Sequence, residues 1–182
     1  MIYNRNFETI DENMSESNVG GRKNRSYREH LFILYSVINS VIQKETPPID
    51  CQLYDVKEAF DSLDLVECCN DLYETGVEND DLVQIYEGNV NNDIAVNTPC
   101  GQTSRVAMPS IVAQGGSLGV MKCSVQIDKI GKEALERQSD NLLKYKNKVP
   151  ITMLSMVDDV LNIAVCGIKS VETNAFVNAQ FE

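Results

Sequence analysis

Two apolar, β-prone runs, Ile151–Met156 and Val160–Val165, lie almost end to end near the C-terminus. The link between them is short and centred on Asp158-Asp159. A link that short joins strands only as an antiparallel hairpin, because a parallel pair needs a crossover of a dozen residues or more. The pattern therefore predicts a sheet with two adjacent acids at a hairpin tip. Adjacent carboxylates repel each other and cost desolvation if buried, so a positive partner normally offsets them. Carboxylate oxygens suit a hard divalent cation such as Mg²⁺. The competing reading is a plain polar turn, since Asp is common in turns. On these residues alone both readings stand.

The rest of the chain supplies elements to pack around that hairpin. Residues 1–19 are polar and read as a loose lead-in. Gly20-Gly21 opens a basic cluster of Arg22, Lys23, Arg25 and Arg28. Ser26 and Glu29 have capping-box spacing, so a helix is predicted to start there. Leu31, Leu34, Tyr35, Ile38, Val41 and Ile42 recur at helical spacing along one predicted face, and Pro47-Pro48 ends it. Ile49 to Val56 alternates, with Ile49, Cys51, Leu53 and Asp55 on one side, which predicts a strand ending in an acid. Helices follow over Leu63–Tyr73, stopped at Gly76, and over Asp80–Glu87. Ile94–Asn97 and Thr103–Met108 read as strands joined around Pro99-Cys100-Gly101. Gln114-Gly115-Gly116-Ser117 starts a long helical stretch, residues 144–148 read as a solvated Lys-rich loop, and the tail from Lys169 reads as a helix. The order predicts an α+β chain with helices packed on one face of a largely antiparallel sheet.

Asp55 is the third acid of interest. If its strand end meets the hairpin tip, three carboxylates converge at one end of a sheet. Such a cluster holds two metal ions about 3.5–4 Å apart in enzymes that activate an attacking hydroxyl and stabilise a leaving group.

Composition limits the function classes. The chain has 182 residues with 43% hydrophobic and 24% charged side chains, which is ordinary globular usage. No run is long and apolar enough for a membrane span. The net charge is −11, and the deficit sits in residues 51–100, where one base faces twelve acids. A stand-alone nucleic-acid binder usually presents net positive charge, so any such role here relies on local patches. Six cysteines without CxxC spacing and a single histidine, His30, argue against structural zinc. Scattered thiols with no secretory leader predict reduced cysteines in an intracellular protein.

Four segments, in order, carry a resemblance. Ser17-Asn18-Val19-Gly20-Gly21-Arg22-Lys23, Tyr54-Asp55-Val56-Lys57-Glu58-Ala59-Phe60-Asp61, Gln114-Gly115-Gly116-Ser117-Leu118-Gly119 and Met156-Val157-Asp158-Asp159 together resemble the reverse transcriptase domain of non-LTR, LINE-type retrotransposons. The resemblance implies a reverse transcriptase palm, an antiparallel sheet with helices on one face, plus part of the fingers. Residues 1–14 would be a lead-in, 15–50 partial fingers and 51–182 palm, with no thumb or endonuclease following. It implies RNA-directed DNA polymerase activity on an RNA template and DNA primer with dNTPs, two Mg²⁺ ions for which Mn²⁺ substitutes, and a parent enzyme working on nuclear DNA.

Residue by residue, the resemblance makes Asp55 and Asp158 the main metal ligands, with Asp159 supporting and the Val56 carbonyl adding an oxygen. Phe60 stands at the aromatic steric gate that disfavours a ribose 2′-hydroxyl; its plain alternative is a core aromatic. Arg22 and Lys23 would sit near the triphosphate, or form a solvated basic loop. Gln114 would touch nucleotide or template, and Gly115 would let the backbone come close, unless the glycines simply start a helix. The chain departs from the family at Met156, where an aromatic is usual, and at Ala113, Gly116 and Ser117, where many relatives have Arg, Asp and Pro. Two other readings remain beside the enzyme: an inactive truncated remnant that folds and binds without turnover, and an acidic module with a metal-stabilised turn.

Overall fold

The computed structural model describes residues 2–56, 60, 63–110, 117–137, 143–145 and 149–181. Two compact units share the chain: Met1–Asn13 with Glu58–Cys123, and Met14–Lys57 with Ser124–Glu182.

In the first unit the N-terminal segment is helix α1 (Ile2–Asn13), not a loose lead-in. Tyr3, Phe7 and Ile10 recur at helical spacing among polar neighbours, and Phe7 and Ile10 are buried. The Tyr3 and Phe7 rings meet with centroids 5.4 Å apart. Helix α3 (Leu65–Glu74) is capped by the Asp64 carboxylate, which accepts from the backbone N–H groups of Val66 (2.8 Å) and Glu67 (2.9 Å). It ends where Gly76 takes a left-handed φ of +93°. Helix α4 (Asn79–Glu87) carries the buried Asp81, whose carboxylate accepts from Arg5 and Asn6 of α1. The predicted hairpin is present but broken: strand β2 (Val90–Ile94) pairs with β5 (Val106–Ser110), and two-residue strands β3 (Asn97–Thr98) and β4 (Gly101–Gln102) pair at its tip.

The second unit holds the main sheet. Helix α2 (Tyr27–Ile42) starts as the capping box predicts, with the Glu29 carboxylate accepting from the Ser26 N–H at 3.1 Å. Strand β1 (Ile49–Asp55) pairs antiparallel with β9 (Asp159–Val165), which pairs antiparallel with β8 (Met153–Met156). Strand β9 is therefore central, and it is covered on both sides. On one side Leu154 and Ile163 pack with Val37 of α2 and with Leu143 and Ile151. On the other, Asn162 donates to Asn174 of helix α6 (Ile168–Phe181), and Met153 lies against Gly131 of helix α5 (Ser117–Arg137), whose residues from Ser124 onward belong to this unit. Helices on both faces replace the single covered face predicted. The reason is that Val160, Asn162, Ile163 and Ala164 are all buried, which one covered face does not allow for alternating side chains.

Two further expectations change. The Lys-rich stretch is flanked by strands β6 (Leu143–Tyr145) and β7 (Val149–Ile151), which pair antiparallel. Leu143 and Ile151 bury into the core, which draws the flanks of that stretch into the fold. Helix α2 is also rotated from its predicted apolar face. It turns Ile33, Leu34 and Val37 inward, and leaves Leu31, Tyr35, Ile38 and Ile42 exposed.

Candidate catalytic sheet end

The site is built from strand ends. The β1–β9 register runs from Ile49 opposite Val165 to Asp55 opposite Asp159. Alternation of side chains makes Asp55 and Asp159 share one face at that end. The ladder continues one step further, where the Val56 N–H donates to the Asp158 carbonyl at 3.3 Å. Asp158 itself lies in the two-residue loop between Met156 and Asp159. The sheet thus brings Asp55, Val56, Asp158 and Asp159 to one end.

That loop has an unusual first residue. Val157 has φ +59°, a left-handed value that is an outlier for a β-branched side chain, while Asp158 is not left-handed. A positive φ at the first loop position alone is the type II′ pattern, which favours glycine there.

Among the described residues no basic side chain pairs with Asp55, Asp158 or Asp159. No three His, Cys, Asp or Glu side chains among them are grouped as a ready metal site. The donor set itself, two carboxylates on one face and a third in the adjoining turn, has the oxygen chemistry that suits a hard divalent cation.

The other predicted residues fall variously. Arg22 is half-buried and its Nη1 donates to the carbonyls of Ser15 (2.7 Å) and Asn18 (3.0 Å), so its guanidinium staples its own loop. Lys23 is exposed. Phe60 is half-buried and belongs to the first unit. Gln114, Gly115 and Gly116 lie outside the described residues, as do Lys57, Glu58, Ala59 and Asp61 of the Asp55 segment and Ala113.

The sequence reading missed what surrounds the turn. Residues 17–19 run alongside β8: Ser155 donates to the Ser17 carbonyl at 3.1 Å and accepts from the Val19 N–H at 3.0 Å. His30 fixes the same segment, with Nε2 2.9 Å from the Ser17 carbonyl, and burial pushes its pKa below the usual histidine value. Lys122 was also missed. It is buried in the first unit near Cys68 and Cys69; burial lowers its pKa and raises that of Cys68 to about 12. No periodicity distinguishes these residues from their neighbours.

Comparison with solved structures places the architecture. An apo telomerase from Candida tropicalis, truncated from its C-terminal domain, superposes with a TM-score of 0.65 at 13% identity over 97% of this chain. Its fold is similar to that of part of a telomerase. A telomerase from Candida albicans, in complex with a TWJ fragment of telomeric RNA, gives 0.63 at 11% identity, again over 97% of this chain. The chain spans 36% and 31% of those two telomerase chains, about a third of each. No protein-family profile and no curated protein matches the sequence. The similarity to these two telomerases is one of fold, mixed helices and antiparallel sheet. Among the described residues no helix is long and apolar enough to cross a membrane.

Proposed function

We propose that the chain is the palm and part of the fingers of an RNA-directed DNA polymerase of the LINE-type reverse transcriptases. The observation that carries this reading is the register of Asp55 against Asp159, with Asp158 in the adjoining turn. That register brings the acids of two of the four segments to one sheet end, within a fold similar to that of telomerases, and this supports the reading. The RNA in the Candida albicans telomerase complex supports nucleic acid as the partner class.

In this reading Asp55, Asp158 and Asp159, with the Val56 carbonyl, would hold Mg²⁺, or Mn²⁺ in its place. Bound there, the ions would lower the pKa of a primer 3′-hydroxyl and offset charge on the departing pyrophosphate. The residues of the chain orient: β1 and β9 hold the carboxylates at a fixed spacing, and the hairpin presents Asp158. Phe60 crowds a ribose 2′-hydroxyl and selects dNTPs. Lys23, Gln114 and Gly115 meet the nucleotide or template. Arg22 would lie near the triphosphate, with its Nη1 also holding its own loop. Positioning and charge neutralisation supply most of the rate, as in other phosphoryl transfers.

The test is primer extension on a short RNA template with dNTPs, in Mg²⁺ and in Mn²⁺, with Asp158→Asn as control. Extension that disappears in the folded mutant supports the polymerase. No extension by folded wild-type protein favours a remnant that binds without turnover.

A further inference from the structure

We propose that residues 17–20 position the Val157–Asp158 turn, with Gly20 as the contact that sets its place and Asn18 and Ser124 as the residues that hold Gly20 there. The catalytic consequence rests on the polymerase reading; the positioning itself does not.

A Cβ on Gly20 would stand 2.6 Å from the Val157 amide nitrogen and 2.6 Å from Ser124 Oγ. Real Cβ atoms do not come that close, and a hydroxyl can rotate away whereas a backbone amide cannot. Gly20 is not in the left-handed region, so glycine is required here for closeness alone. Both of its backbone polar groups are bonded. Its N–H donates to Asn18 Oδ1 at 3.0 Å, and its carbonyl accepts from Ser124 Oγ at 3.1 Å. Asn18, 1% exposed, donates from Nδ2 to the Ser124 carbonyl at 2.7 Å. Arg22 ties down the preceding carbonyls, and Ser155 of β8 pairs with residues 17 and 19 two positions before Val157.

This clamp also accounts for Val157. A β-branched residue at φ +59° persists only where its surroundings over-determine it. Gly20 on one side and the β8–β9 hairpin on the other do so. The geometry gives the loop that Arg22 ties down the task of aiming Asp158.

The position of Asp158 has a direct reporter, the Val56 N–H held by its carbonyl. Amide exchange would be followed by NMR on the full chain. In Gly20→Ala, Val56 is expected to exchange about tenfold faster while Ile163, in the middle of β9, stays as in wild type. In primer extension the same variant should lose about 10²-fold in kcat with little change in dNTP KM. Ser124→Ala removes the hydroxyl bond without adding bulk and should show the same exchange change more weakly, so the idea stays testable if Gly20→Ala fails to fold. Unchanged Val56 exchange in folded variants overturns the positioning role. Faster exchange with unchanged kcat overturns its catalytic importance. If wild-type protein does not extend a primer, the polymerase reading falls, and Val56 exchange alone decides the clamp.

Discussion

Asp55 and Asp159 face each other across the last register position of the β1–β9 pair. Two like charges directly opposite on antiparallel strands destabilise the sheet unless a cation lies between them. In metal-free buffer, Asp55→Asn and Asp159→Asn should each raise the unfolding free energy by about 0.2–1 kcal/mol. Added Mg²⁺ should then stabilise wild-type protein more than either variant. Urea melts with and without Mg²⁺ measure both effects. A stability loss in metal-free buffer would show that the two carboxylates do not repel across the pair.

Val157 carries a left-handed φ at a loop position that favours glycine. Val157→Gly should stabilise the hairpin by about 1 kcal/mol, the left-handed cost less the added chain entropy. Thermal unfolding tests it, and a lower Tm would mean that the valine side chain contributes packing that outweighs its backbone cost.

Asp81 joins α4 to α1 by accepting from Arg5 and Asn6. Asp81→Ala removes a buried, charge-assisted acceptor and leaves the Asn6 amide without it. The expected cost is about 1.5–3 kcal/mol, read from urea denaturation. A change within experimental error would reduce the N-terminal helix to an ornament of the first unit.

Cys68 sets an alkaline limit. The unfolded thiol loses its proton near its ordinary value of 9.0, whereas the buried thiol keeps it to about 12. Between those values the unfolded state binds fewer protons, so stability falls as pH rises. Lys122 acts in the opposite sense: its folded pKa lies below 10.5, and its contribution grows as pH rises towards that value. Chemical denaturation from pH 8 upward, on wild type and Cys68→Ala, should show a steeper alkaline fall in wild type. Equal slopes would remove the thiol from the account.

His30 adds a limit at the acid side. Its pKa is depressed by burial, so below about 6.5 the unfolded state takes up a proton that the folded state resists. Stability should fall with decreasing pH through that range, and His30→Gln should flatten the fall. Melts between pH 7 and pH 5 distinguish the two proteins, and parallel curves would exclude His30 as the cause.

Much of the site was legible in the residues because its signals are local. The apolar runs around Asp158-Asp159 could only form a hairpin, and the alternation ending at Asp55 could only be a strand. Capping at Ser26 and the stop at Gly76 are likewise local chemistry. Helix α1 is hidden in the sequence because its four apolar residues, Ile2, Tyr3, Phe7 and Ile10, are diluted by Asn and Glu. The rotation of α2 escaped because that helix has apolar residues around most of its circumference, so periodicity could not choose the buried side.

The sequence by itself determined that this chain has acidic strand ends on an antiparallel sheet, since hydrophobic alternation and short links act over a few residues. Only the tertiary structure decided that Asp55 falls opposite Asp159 and that Gly20 touches Val157. Register and close approach depend on which distant surfaces bury together, and no local pattern encodes that choice. The same long-range packing made Arg22 the staple of a loop. Its guanidinium found two backbone carbonyls, Ser15 and Asn18, that became neighbours once residues 17–19 aligned with β8.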